Sequence, residues 1–472
     1  MLYSLGYGGA MLALAMLVPL LVSFFTNTAV HTQNFVSGIL ICGFLSGAMI
    51  ISGRATRTRS HELDLLLLMI LYWAFLPLIA ALPMASALQI DGFIAAYFET
   101  VSGLTTSGAS LLGAPQIETA PLLVWRALLG WIGGLWIIVF GVAVIAPFAI
   151  GGLRISDNPL LQHDVGDSAV ARLLRPLRII FPIYAGGTII GVVALLLSGM
   201  PLLDAFCLGL SAISTTGFVV SNLPLAEIYS LPAQSILAML SFVGAMSMPL
   251  LVLTILGRSH IAQLFTLRND ELRLFVIFIV LYAIISAIFS PHHIYREFLQ
   301  AISFASTAGF AFTDINSAPI FWTLILPIIG GCALSTAGGI KVMRVVILAK
   351  GIGADLRRLI YPSLVSTIRL DNKRLEPQDI NSMWAFLSLF FLIYMGGLLI
   401  MGALGLSFAQ AWVMVAATLS NSGAILNAHN VLDIPTMSDG LKIASGLLMI
   451  IGRLEFPVAL VLFTSAFRQF IR

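Results

Sequence analysis

Four stretches set hydroxyls beside a glycine in an otherwise apolar chain: FIAAYFETVSGLTTSGAS at 93–110, LLDAFCLGLSAISTTGFV at 202–219, IYREFLQAISFASTAGFA at 294–311 and FAQAWVMVAATLSNSGAI at 408–425. They align without gaps. The fifth column is aromatic in each (Tyr97, Phe206, Phe298, Trp412) and the sixteenth is glycine. Columns thirteen to sixteen hold Thr105, Thr106, Ser107 and Gly108; Ser214, Thr215, Thr216 and Gly217; Ser306, Thr307, Ala308 and Gly309; and Ser420, Asn421, Ser422 and Gly423. A short helix ending in such a segment presents main-chain carbonyls, which can replace the water shell of a cation. The helix C-terminus adds partial negative charge, and glycine permits dihedrals that turn successive carbonyls inward. The hydroxyls either supply further oxygen ligands or brace the turn. One such segment reads equally well as a helix cap or a tight membrane turn. Four aligned copies favour a shared role.

The elements that must position these segments are membrane spans. The chain is 59% hydrophobic and 10% charged, against about 25% charged in an ordinary soluble domain, and its mean hydropathy is +1.02. Runs such as 65–84, 179–198 and 384–404 are long enough to cross a hydrocarbon core ~30 Å thick as helices. A β-barrel would alternate instead. The expected fold is an all-α polytopic membrane protein. The first apolar segment lacks a basic leader, since no Lys or Arg precedes Arg54, and it reads as a retained transmembrane helix. Cys42, Cys207 and Cys332 each lie in apolar sequence and suit small buried hydrophobes rather than disulfides or a metal.

Charge distribution sets the topology. Twenty of the 24 Lys and Arg fall in segments 53–62, 151–178, 257–273, 341–374 and the C-terminus. The intervening connections are nearly free of them, so the basic set is cytoplasmic by the positive-inside rule. Both termini then lie inside and the spans number ten, two followed by four pairs. The glycines of the aligned segments are 109, 92 and 114 residues apart, room for one helix, one re-entrant segment and a second helix per unit. This predicts four pseudo-symmetric helix–pore-helix–helix repeats around a central pore: a two-helix extension at 1–62, then repeats at 63–160, 161–265, 266–375 and 376–472. Irregular backbone at membrane depth is tolerated where protein buries it or it lines a wet cavity.

With these features the chain resembles the TrkH/KtrB superfamily of potassium ion transporters, in its TrkH-type branch. The resemblance covers residues 60 to 470. It rests on the four segments and on WRALLGWIGGLWIIVFGVAV at 125–144, GGCALSTAGGIKVMR at 330–344 and GRLEFP at 452–457. It implies potassium uptake across a bacterial cytoplasmic membrane, with K⁺ as the transported ion held by the four filters. It further implies an interrupted helix acting as an intramembrane gate (Gly330, Gly331, Ser335, Thr336, Gly338, Gly339, Lys341) and a pore arginine, Arg453. A homodimer and a cytosolic nucleotide-binding regulatory subunit resembling TrkA or KtrA complete the implied assembly. The basic loops 151–178 and 351–374 either dock that subunit or face lipid headgroups. Close helix packing is the other reading of the glycines at 330–339. For Arg453 the other reading is a buried ion pair. One departure stands out: in many members a Pro-Gly-like turn follows the fourth glycine, whereas here Ala424 and Ile425 follow, so the fourth quarter is expected to be less regular.

Two further readings keep the same plan: the potassium-translocating subunit of a P-type ATPase complex, and a Na⁺-permeable member of the superfamily. An enzyme is not expected, for want of a metal-ligand cluster, a nucleotide loop or a nucleophile set. Neither an organic cofactor nor a nucleic-acid partner is expected. Glu99 either attracts cations at the mouth or is hydrogen-bonded behind the filter. Arg126 and Arg296 read as structural or rim charges, and His292 with His293 as a solvated face. Asp91, Asp204, Asp314, Asp433 and Asp439 give the outer side an acidic bias that weakly favours cations.

Overall fold

The computed structural model describes residues 1–54, 62–87, 92–112, 119–145, 169–221, 224–255, 269–289, 294–313, 319–361, 369–370, 373–374, 377–428 and 434–454. Among the described residues the fold is all-α apart from a two-residue antiparallel pairing of Arg369–Leu370 with Lys373–Arg374. Among the described residues seven helices are long and apolar enough to span a membrane, or eight if the bent pair Leu231–Ala245 and Met248–Ile255 is one span. Two of the ten expected spans do not appear as single long helices among the described residues. The helix expected to be interrupted is Ile320–Ile329 and Val342–Ile360, parted by a loop. The last helix, Asp439–Arg453, runs to the edge of the described residues.

The first two spans form a hairpin: Leu2–Ala15 and Leu17–Phe25 pack on Ala29–Arg54. Sparse burial along that hairpin contrasts with Ala120–Ile145, whose apolar window is 89% buried. Apolar residues all round a helix are what a central position requires.

Four shorter helices carry the aligned segments: Phe93–Leu104, Leu202–Ile213, Ile294–Ala305 and Phe408–Leu419, each 12 residues long. Ser407 starts the fourth with a reciprocal capping box to Gln410, satisfying two otherwise unpaired donors. Each is followed, two residues past its end, by a non-glycine residue with positive φ: Thr106 (51°), Thr215 (54°), Thr307 (59°) and Asn421 (51°). That conformation ends the helix, and for a β-branched Thr it costs on the order of 1–3 kcal/mol, which the surroundings must offset.

The four short helices are held in cyclic order. Ala120–Phe140 packs against the second short helix, Leu231–Ala245 against the third and Ile320–Ile329 against the fourth. Asp439–Arg453 returns to pack against the first. Close approach at these seams needs glycine: a Cβ at Gly133, Gly244 or Gly452 would collide with the terminal carbonyl of a short helix, at Leu104, Ile213 or Leu419 respectively.

Candidate ion-conduction site

The turns after the short helices meet around one centre. A Cβ at Gly108 would strike the Thr216 carbonyl, and one at Gly217 would strike the Ala308 carbonyl. At Gly309 it would lie 3.0 Å from the Ile425 nitrogen, and at Gly423 it would lie 2.6 Å from Ser107 Oγ. Each segment therefore touches the next, and the fourth touches the first. Gly108, Gly217 and Gly309 have φ of 78°, 78° and 71°, where a side chain is disfavoured. Gly423 does not share this conformation; the chain there turns into a new helix, Ala424–Ala428. The fourth glycine thus departs from the expected common geometry.

Each turn is braced largely by its own segment. The column-thirteen hydroxyls donate back into their helices: Thr105 to Val101 O (2.7 Å), Ser214 to Leu210 O (2.8 Å), Ser306 to Ser303 O (3.0 Å) and Ser420 to Ala416 O (2.6 Å). Ser214 and Thr216 share a hydrogen bond of 2.7 Å, as do Ser420 and Ser422. Backbone donors close the turns at Ser107 N to Ser102 O, Thr216 N to Ser211 O and Ser422 N to Ala417 O. Bracing is what the column-thirteen hydroxyls do in this structure.

Glu99 is buried against its own turn. It is 1% exposed, accepts from Leu111 N and from Ser110 Oγ (2.9 Å), and pairs with Arg126 at 3.5 Å. Arg126 is accordingly a buried structural charge, stacked 4.3 Å from the Phe218 ring centroid, and not a rim charge. Gln300, in the same column of the third segment, does the equivalent work: Nε2 donates to Phe310 O (2.9 Å), and Oε1 accepts from Phe312 N (2.7 Å). Gln300 was not singled out from the sequence; its position beneath Glu99 in the alignment is the signal that would have found it. Leu208 and Met414 fill that column in the other two segments.

Beneath the turns runs the loop 330–341, between Ile320–Ile329 and Val342–Ile360. It carries GGCALSTAGGIK, with positive φ at Gly330, Leu334, Gly339 and Lys341. It repairs the break in the bent pair, which turns through 98°: Cys332 N bonds Ala245 O (2.9 Å), Thr336 N bonds Gly244 O (3.2 Å), and Met248 N bonds Leu334 O (3.3 Å). Two irregular stretches thus satisfy one another's backbone inside the protein. Gly331 packs against Ala245 and Ala337. Gly338 must be glycine because a Cβ would meet the Ser420 carbonyl.

The loop is tied to the turns above it. Gly339 N donates to Ser420 O (3.0 Å) and Gly338 N to Thr307 Oγ1 (2.8 Å). Thr215 Oγ1 meets Thr336 Oγ1 at 3.2 Å. Asn421 reaches the last helix instead, donating to Met449 O at 2.9 Å. From below, buried Glu271 accepts from Ala333 N (2.6 Å). Glu271 also escaped the sequence reading, although a carboxylate inside a basic connection is a signal. Ser335 donates to Cys332 O, and Lys341, 5% exposed, donates through Nζ to Ala337 O.

Arg453 joins the two layers. Its Nε donates to Thr105 O and Nη2 to Thr106 Oγ1, while Nη1 donates to Thr336 O (3.0 Å) and Ala337 O (3.1 Å). It spans a turn and the loop with one guanidinium, using the planar fork that Lys lacks. A cavity of ≈ 30 Å³ beside it is lined by Met69, Trp73, Gly141, Ser335, Lys341 and Arg453 among others, room for about one water.

Other singled-out residues play lesser parts. Asp204 accepts from the Tyr229 hydroxyl (2.9 Å), and Asp439 pairs with Lys442 at 3.2 Å. The three cysteines are buried and free. Asp91, His292, His293, Asp314, Asp433 and residues 455–457 of the GRLEFP motif lie outside the described residues, as do 151–168 and 362–368 of the basic loops.

The fold is that of an all-α polytopic membrane protein, built on broken and short helices meeting at one centre. The model of the TrkH family, described as a cation transport protein, matches residues 31–469, and the chain belongs to that family. It is 31% identical over 417 residues to the Trk system potassium uptake protein TrkH of Salmonella typhimurium, covering 85% of both chains. It is 29% identical over 471 residues to the Trk system potassium uptake protein TrkG of Escherichia coli K12, covering 96% of this chain and 95% of that one. The crystal structure of the potassium transporter TrkH from Vibrio parahaemolyticus matches 98% of this chain and 97% of its own, with a TM-score of 0.85 at 27% identity.

Proposed function

We propose that this protein takes up potassium through a central pore in a bacterial cytoplasmic membrane. The observation that carries the reading is the cyclic meeting of four 12-residue helices whose turns share one register. In this reading columns thirteen to sixteen are a selectivity filter. Their carbonyls replace the hydration shell, and four repeats with a two-helix extension at 1–62 surround the path. The relatives named for potassium uptake support the ion assignment.

The loop 330–341 is the gate. It lies directly against the inner end of the turns, so an ion leaving the filter meets it first. Arg453 holds the loop closed and places a positive charge where a departing cation would stand. Opening requires the Arg453, Thr307 and Ser420 contacts to be exchanged for others. Both termini face the cytoplasm, and the protein works as a homodimer with a cytosolic nucleotide-binding regulator. Inward flux is driven by a negative-inside potential, worth about 2.3 kcal/mol per charge per 100 mV.

The test is growth of a potassium-uptake-deficient bacterium at low K⁺, with tracer uptake alongside. The wild-type chain restores growth, and uptake saturates with K⁺ but not with Na⁺. Absence of flux at normal membrane abundance would sink the reading, and equal use of Na⁺ would replace it with the Na⁺-permeable one.

A further inference from the structure

The fourth quarter of the ring differs from the others where it matters to an ion. Past Asn421 its backbone leaves the shared path. Ser422 O and Gly423 O accept from Ile425 N (3.1 Å) and Leu426 N (3.0 Å), and the neighbouring Ser107 O accepts from Ala424 N (3.0 Å). A carbonyl held along a hydrogen bond is constrained in the direction its lone pairs point. Three of the eight carbonyls in columns fifteen and sixteen are committed in this way.

An alanine methyl faces that level of the ring. Cβ atoms built on Gly108, Gly217 and Gly309 would lie 3.1, 2.6 and 2.9 Å from the Ala424 Cβ. Those glycines belong to three different segments around the ring, so an atom within reach of all three stands near their common centre. Ala424 is 6% exposed. Its helix is pinned: Asn427 Oδ1 accepts from Ser110 N (3.3 Å) and Asn427 Nδ2 donates to Ser110 O (3.4 Å).

We propose that Ala424 is a specificity-determining residue that sets the bore of the outer end of the filter. Its methyl narrows the glycine level and presents an apolar wall where a symmetric ring would offer a fourth set of carbonyls. Cations cross this level incompletely coordinated. Ligand-based discrimination is then shared by columns thirteen and fourteen with the five uncommitted carbonyls of this level, and exclusion of larger cations falls to Ala424. The inference rests on the pore reading above.

The experiment measures K⁺, Rb⁺ and Cs⁺ uptake in the complemented strain for wild type, Ala424→Gly and Ala424→Val, with Gly217→Ser as a control and membrane abundance measured for each. Glycine at 424 should raise Cs⁺ uptake relative to K⁺ by at least about threefold, and valine should cut K⁺ flux by about tenfold or more at unchanged abundance. The gain of Cs⁺ in the glycine variant is a result that misfolding cannot give. If both variants stay within about twofold of wild type in flux and ion ratio, the proposal is overturned. It is equally overturned if only the valine variant changes. Altered K⁺/Na⁺ discrimination in Gly217→Ser alongside unchanged Ala424 variants removes this inference but keeps the pore. A wild type that conducts nothing removes the pore itself.

Discussion

The turns after the short helices and the loop at 330–341 are both irregular backbone in an apolar protein, but they are held differently. The turns close mainly on themselves, with hydroxyls and amides bonding residues two to seven positions away. The loop reaches across the molecule, to Gly244, Ala245, Glu271, Thr307, Ser420 and Arg453. Local bonds travel with their segment, whereas distant bonds can be lost one partner at a time; on the proposed reading the turns stay rigid and the loop is the part that moves. Rigidity suits discrimination between ions, and releasable contacts suit a gate.

Substitutions that exploit this contrast separate its two halves. Gly217→Ser should have the largest effect. It adds a side chain at φ 78° and against the Ala308 carbonyl. K⁺ over Na⁺ discrimination, measured by competition in tracer uptake, should fall by at least about tenfold, equivalent to ~1.4 kcal/mol. Retained discrimination would break the view of the turns as the discriminating layer. Arg453→Ala comes next and acts on the loop. It removes donors from four buried oxygens; Ala337 O keeps Lys341 Nζ and Thr336 O keeps Thr106 Oγ1, and an oxygen left unpaired costs ~1–3 kcal/mol. Uptake should rise several-fold with the ion ratio changed less than in Gly217→Ser, and Arg453→Lys should fall between. Unchanged flux would end the bridging role.

Glu271→Ala should also raise flux, by about twofold to fivefold, since it frees one loop amide whose bond is worth ~1.5–3 kcal/mol. Glu271→Gln keeps an acceptor and should stay nearer wild type. Equal effects of the two would point to charge rather than the Ala333 hydrogen bond. The smallest effect is expected from Gln300→Leu, which copies Leu208 of the second segment. Losing its bonds to Phe310 and Phe312 should cost ~1–3 kcal/mol, read as a lower unfolding temperature in detergent and a modest loss of discrimination. A shift in gating without a shift in discrimination would contradict its assignment to the turn.

Much of this was legible in the chain. Apolar runs specify helices because every backbone group in lipid must be satisfied internally, and three of the four sixteenth-column glycines mark the turns because few residues tolerate their φ. The alignment proposed the candidate site from register alone, and the sequence reading flagged Ala424 and Ile425 as a departure. It anticipated the interruption at 330–341 but not the break at 246–247, which hydropathy does not register. It left Glu99 between two roles and passed over Gln300 and Glu271, because one residue's exposure depends on what packs over it.

What the sequence determined by itself is therefore the periodic part: the apolar helices, the four turns and the residue types in them. Only the tertiary structure decided that Arg453 bridges Thr105 to Thr336, residues far apart in the chain, and that the loop pairs with the broken helix at Gly244 and Ala245. It alone decided that the Ala424 methyl faces three glycines from three other segments. Local propensity and hydropathy act over a few residues, whereas these contacts depend on how the ring closes.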